Sequence, residues 1–193
     1  MKKAGIIFSF LILTLGAFAQ SKNEVSIVYG IAKYSLGLPG LVGGAGYEGK
    51  GSTILGLKYS RRISSLFAIE SGLEYSTNKI DITSAPGLPL NTQKATIEML
   101  TIPVYGSISF WKYFFVNAGP LIDFEVNRIK TPKTDSQSGL GVGLGVGGKY
   151  TMKNFTVSVN PYMERHAVIP FTKERNHMRG EEIGVKIGLG YLF

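Results

Sequence analysis

The sequence contains no cysteine in its 193 residues. That excludes a disulfide framework, a thiolate metal site, a cysteine nucleophile and a lipid-modified cysteine anchor. Charge is sparse too, with Asp, Glu, Lys and Arg making up 18% of the chain. The two histidines, His166 and His177, lie eleven positions apart, which is not a zinc-ligand spacing. Beyond the first twenty residues there is no apolar run of about 18, the length a membrane helix needs. The apolar content is instead scattered in short pieces among 25 glycines, ten tyrosines, eleven phenylalanines and one tryptophan.

The start of the chain reads as a processing signal. Lys2 and Lys3 form a basic start, Ile6 to Leu15 an apolar run, and Ala17-Phe18-Ala19 a small-residue cleavage site. Residues 1–19 are thus expected to be a signal peptide, and residues 20–193 a single domain. Without Lys2 and Lys3, 19 basic residues face 13 acidic ones, a mature charge of +6.

The rest of the chain alternates with a period of two. Ile183, Val185, Ile187, Leu189, Tyr191 and Phe193 share one face, while Gly184, Lys186, Gly188, Gly190 and Leu192 share the other. Leu140, Val142, Leu144 and Val146 alternate in the same way with Gly141, Gly143, Gly145 and Gly147. A helix would scatter these apolar residues around its circumference and incur the glycine penalty repeatedly. Strands keep them on one side. Eight are expected, near 24–35, 51–61, 66–78, 96–110, 113–127, 139–150, 155–168 and 182–193. The glycine-rich run 139–145 has no helix after it, so it is no phosphate-binding loop.

Connections alternate in length. Residues 62–65, 111–112 and 151–154 make short turns, whereas 36–50, 79–95, 128–138 and 169–181 make long links. Short turns on one rim and long loops on the other describe an all-β, eight-stranded antiparallel up-and-down transmembrane β-barrel. Both termini then sit on the short-turn side, which is periplasmic in a Gram-negative outer membrane. A soluble barrel would place its apolar face inward. Here the other face consists largely of Gly, Ala, Asn and Ser with few charges, and would be poorly solvated in water. Aromatics at the expected strand ends (Tyr29, Tyr34, Tyr59, Tyr75, Phe110, Trp111, Tyr113, Phe114, Tyr150, Phe155, Tyr191 and Phe193) suit two membrane interfaces.

Two segments, Leu100-Thr101-Ile102-Pro103-Val104 and Tyr113-Phe114-Phe115-Val116-Asn117-Ala118-Gly119-Pro120, carry a family likeness, as does the terminal Gly190-Tyr191-Leu192-Phe193. Through them the chain resembles the small outer-membrane barrels of Bacteroidota known as PorT-like or outer-membrane β-barrel domain proteins. The resemblance spans the mature chain. It implies outer-membrane residence, no shared catalytic site, and contact of the C-terminal strand ending at Phe193 with the barrel-assembly machinery.

On the inward face the alternation puts Lys58, Glu70, Glu74, Asp123, Glu125, Lys149, Glu164 and Lys186. Eight strands leave a lumen that side chains fill, so these charges are expected to pair, each unpaired one costing several kcal/mol. The bland role is a packed polar core; a gated ion path, opened when a lysine exchanges carboxylates, is the sharper one. Glu70 and Glu74 form at most a weak acid/base signal, with no substrate cleft beside them. Some outer-membrane barrels are lipid-modifying hydrolases, and Ser158, Glu164 and His166 occupy one strand with one parity. Ser158 and His166 stand roughly 26 Å apart along it, too far for direct bonding. Basic residues of the long links, Arg128, Lys130, Lys133, Lys173, Arg175 and Arg179, are candidate contacts for phosphate-bearing lipid headgroups. The export signal argues against nucleic acid. No cofactor or metal site is expected. The reading is an integral, non-enzymatic outer-membrane barrel whose loops meet the envelope surface or a partner protein. A narrow channel, a transport or protein-export accessory and a lipid-modifying enzyme are the alternatives.

Overall fold

The computed structural model describes residues 23–37, 46–83, 92–127, 136–172 and 178–193. Eight strands follow one another: β1 (Asn23–Gly37), β2 (Gly46–Arg62), β3 (Phe67–Thr83), β4 (Thr92–Phe110), β5 (Phe114–Asn127), β6 (Gly139–Met152), β7 (Phe155–Pro170) and β8 (Arg179–Leu192). Each pairs antiparallel with its sequence neighbour, and β1 closes on β8 over Glu24↔Leu192 to Gly37↔Arg179. Closure removes every free sheet edge, which a strand crossing hydrocarbon requires. The expected signal peptide, residues 1–19, lies outside the described residues.

The turns use the chain's own geometry. Trp111 and Lys112, with φ of 47° and 66°, both adopt the left-handed region, as a two-residue primed hairpin turn demands. Neither is a glycine, so Phe110, Trp111 and Phe114 compensate by packing their rings, Trp111 edge-on to both. Lys153, at φ 55°, makes the corresponding corner between β6 and β7.

The outer face is apolar over a limited height. On β8, Ile183, Ile187, Leu189 and Tyr191 are all exposed, as are Val25, Ile27, Tyr29 and Ile31 on β1. From Ile183 to Tyr191 is nine residues, matching the 9–11 that a tilted strand needs to cross a bilayer. Near the turn rim the belt ends in a girdle of rings, with Tyr113 stacked on Tyr150 and Phe155 edge-on to Tyr191. Near the loop rim it ends at Tyr75 and Phe124, the latter packed against Phe171, whereas Tyr29 pairs with Ile187 in the middle of the belt. Tyr34 does not belong to either girdle: it is fully buried inside the barrel.

Strands β2, β3 and β4 run further toward the long links than the sequence suggests, starting at Gly46, ending at Thr83 and starting at Thr92. The reason is an inversion of polarity. On β3 the outward residues are Phe67, Ile69, Leu73 and Tyr75, and then Thr77, Lys79 and Asp81. Inward residues change oppositely, from Glu70, Glu74, Ser76 and Asn78 to Ile80 and Ile82. Beyond the belt the strands stand in water, so they bury an apolar interior like any soluble barrel. Tyr34, Leu36, Ile80, Ile82, Ala95, Ile97 and Met99 form that cluster.

Candidate functional site in the barrel lumen

Glycines on the inward face of β6 make space for the lumen. A methyl at Gly143 would lie 2.1 Å from the Tyr105 hydroxyl, and one at Gly145 would lie 2.4 Å from Asn117 Oδ1. At Gly147 it would meet the Val159 carbonyl at 2.5 Å and the Phe115 ring at 2.6 Å. The glycine stripe is therefore the flat wall over which large side chains from β4 and β5 lie.

From the turn rim inward, the polar side chains form tiers. Lys149 Nζ donates to Ser109 Oγ at 2.9 Å, with the Phe115 ring centre 5.9 Å away. Next, Lys58 Nζ lies 3.8 Å from Glu70 Oε2, which accepts a hydrogen bond from Asn117 Nδ2 at 3.2 Å. In the third tier Lys186 Nζ bridges Glu74 at 2.7 Å and Glu164 at 2.5 Å, and stands 4.1 Å over the Tyr162 ring. Tyr105 donates a further hydrogen bond of 2.7 Å to Glu164 Oε1. A void of about 30 Å³ remains between these tiers, lined by Lys58, Glu70, Glu74, Asn117 and Lys186 among others. That is room for a water, not a pore.

In the fourth tier the sequence reading has Asp123 inside but misses its partner His166 and the buried Glu182. His166 Nδ1 lies 3.1 Å from Asp123 Oδ1, which also accepts from Thr101 Oγ1 at 2.9 Å. Glu182 accepts hydroxyls from Ser52 at 2.9 Å and from Tyr162. Glu182 stands directly across from Glu164 in the β7–β8 register, and both are buried. Above it, Gln137 accepts from Gly180 N and donates to the Met178 carbonyl, at 2.9 and 3.0 Å. Then comes the apolar cluster.

The expected lumen set is thus largely brought together: Lys58 with Glu70, and Glu74 with Lys186 and Glu164. Asp123 takes a histidine, not a lysine. Glu125 is half-buried at the loop end, where it accepts from Gln137 N at 2.9 Å and so ties down the chain before β6. Of the expected headgroup contacts, Arg128, Lys130, Lys133, Lys173 and Arg175 lie outside the described residues; Arg179 is half-buried at the start of β8. Basic side chains also collect at the turn rim, where Arg62, Lys112 and Lys149 line one cavity with Tyr113 and Tyr150.

An apolar belt around a closed ring with charges paired inside defines an integral membrane β-barrel of the outer-membrane type. Solved structures agree on the fold. The outer membrane protein OprG from Pseudomonas aeruginosa is 15% identical, with 90% of this chain and 96% of that one aligned at a TM-score of 0.57. The outer membrane protein AlkL, solved in lipid bilayers, is 12% identical over 90% of each chain at a TM-score of 0.53. No protein-family model matches the sequence, and no curated protein does.

Proposed function

We propose that the protein is a non-enzymatic barrel of a Gram-negative outer membrane that is sealed at rest and presents its loop rim to the outside. Its termini and short turns would then be periplasmic. The observation that carries this reading is the filled lumen: four tiers of bonded polar side chains beneath an apolar plug. An ion moving along the axis would have to break buried ion pairs and then enter hydrocarbon, each step costing several kcal/mol. The strand extensions beyond the belt raise the loops clear of the bilayer, which suits contact with the envelope surface or a partner protein. The segments 100–104 and 113–120 and the end at Phe193 support a place among PorT-like barrels and folding by the barrel-assembly machinery. In planar bilayers the purified protein should give no steady conductance above the lipid baseline. Stepwise, reproducible openings would favour the channel reading instead. One feature supports that alternative: Lys186 already touches two carboxylates between which it can choose.

A further inference from the structure

We propose that the fourth tier of the lumen is a binding site for one divalent transition-metal ion, held by Glu164, His166 and Glu182. One ligand atom from each of these buried side chains lies within 4.8 Å of the others. Such a cluster needs more than proximity; two further observations point to a cation, and a third shows a strained backbone beside it.

The first is charge. Glu164 and Glu182 are directly opposed across β7 and β8, a like-charge pairing that is unfavourable even on a surface. Here both are buried, together with Glu74 and Asp123. Lys186 bonds Glu74 and Glu164, whereas the donors seen on Glu182 are the Ser52 and Tyr162 hydroxyls. Four carboxylates thus surround one ammonium and one imidazole. A dication beside Glu182 corrects most of this excess.

The second is the unused donor capacity. His166 is only 2% exposed, yet neither imidazole nitrogen makes a well-aligned hydrogen bond, and Asp123 Oδ2 has no partner. Asp123 Oδ1 faces Nδ1 at 3.1 Å, which leaves Nε2 to coordinate. A carboxylate behind a histidine ligand fixes its tautomer and orientation. Tyr105 and Lys186 both bond Oε1 of Glu164, so Oε2 is available.

The third is backbone. Register between β6 and β7 slips from Leu140↔Ile169 to Val142↔Arg165, so β7 carries a bulge. Within it Ala167 has φ of 47°, the left-handed region, and is completely buried. A non-glycine residue there costs on the order of 1–3 kcal/mol, and bulges commonly re-aim one side chain. The side chain turned inward out of sequence is Ala167, next to His166, which keeps the inward parity of Tyr162 and Glu164. Gly141, opposite the bulge, has no room for a methyl, which would meet the Arg165 carbonyl at 2.6 Å and Asp123 Oδ2 at 2.8 Å.

One imidazole with carboxylates suits zinc, copper, nickel or iron better than calcium or magnesium, which take oxygen ligands in larger number. The test uses the full mature barrel, folded in detergent, stripped with chelator and titrated with Co²⁺ and Zn²⁺. One equivalent of metal should bind, with Co²⁺ giving visible ligand-field bands and X-ray absorption showing one imidazole in the coordination shell. His166→Gln and Glu182→Gln should abolish the uptake. Asp123→Asn, behind the histidine, should weaken it about 10–100-fold. Glu70→Gln and His177→Gln should leave it intact. Heat-shifted gel mobility shows which variants fold, and the wild-type stoichiometry and spectrum decide the matter even where a variant does not. Absence of stoichiometric uptake by the folded wild type overturns the site, leaving His166 as a structural partner of Asp123. Uptake unchanged in folded His166→Gln overturns it equally. Neither result bears on conductance, which tests the sealed-barrel reading separately.

Discussion

At the residue scale, neighbours on a strand meet opposite surroundings, and Lys186 and Ile187 show it most sharply. Ile187 is half-exposed on the outer belt, between Tyr29 and Val159 in register. Lys186 is 6% exposed and holds two carboxylates. Ile187→Arg should destabilise the barrel by about 2–4 kcal/mol if that position is near the bilayer midplane. From the sequence, Lys186→Gln is expected to preserve insertion while loosening a carboxylate pair inside; the structure shows two such pairs on that lysine. Removing the ammonium leaves Glu74 and Glu164 buried without their cation, a loss of roughly 3–5 kcal/mol for a broken buried pair. The double variant Lys186→Gln with Glu164→Gln should recover part of that loss. Equilibrium unfolding in lipid vesicles measures all three. A harmless Ile187→Arg would mean that the faces are assigned backwards.

Elements explain why some of this was legible in the sequence and some was not. Period-two alternation identifies all eight strands, and it puts Lys58, Glu70, Glu74, Asp123, Glu164 and Lys186 inside. It does not say who meets whom, because that depends on register. The β7–β8 connection spans 171–178, too long for turn geometry to fix the pairing. Glu164 and Glu182 therefore show their confrontation only in three dimensions, and the bulge at Ala167 breaks the alternation beyond His166. The strand extensions were hidden for a different reason. A search for apolar residues facing out ends β3 near Asn78, just where Ile80 and Ile82 begin to face in. The glycines of β6, which read as mere alternation, turn out to be a packing surface. Gly147→Ala should cost about 1–3 kcal/mol, since the new methyl meets a backbone carbonyl and the Phe115 ring within 2.6 Å. Gly148→Ala, outward with no atom nearer than 3.8 Å, should change stability by less than about 0.5 kcal/mol. Similar losses for both in urea titration would mean that β6 dislikes side chains for backbone reasons alone.

For the whole molecule the open question is which rim faces out. The two rims differ in kind. The turn rim is tight and aromatic, with Asn23 and Phe193 bonded to each other's backbone at 2.9 Å. At the other rim, strands outgrow the belt, reverse their polarity and carry the four long links. A barrel inserted from the periplasm has to pass one rim through the bilayer, and short turns next to the termini are the ones left behind. On the orientation proposed above, residues 153–154 would face the periplasm and the link after β7 the outside. The lack of cysteine makes this testable without background. Lys153 is exposed at its turn, so Lys153→Cys supplies one reporter, and Arg175→Cys, in the last long link, supplies the other. A membrane-impermeant maleimide added to intact cells should label Arg175→Cys promptly and Lys153→Cys only after the outer membrane is permeabilised. Prompt labelling of Lys153→Cys in sealed cells, with Arg175→Cys protected, would turn the barrel over. The loop rim would then face the periplasm, and any partner it meets would be sought there.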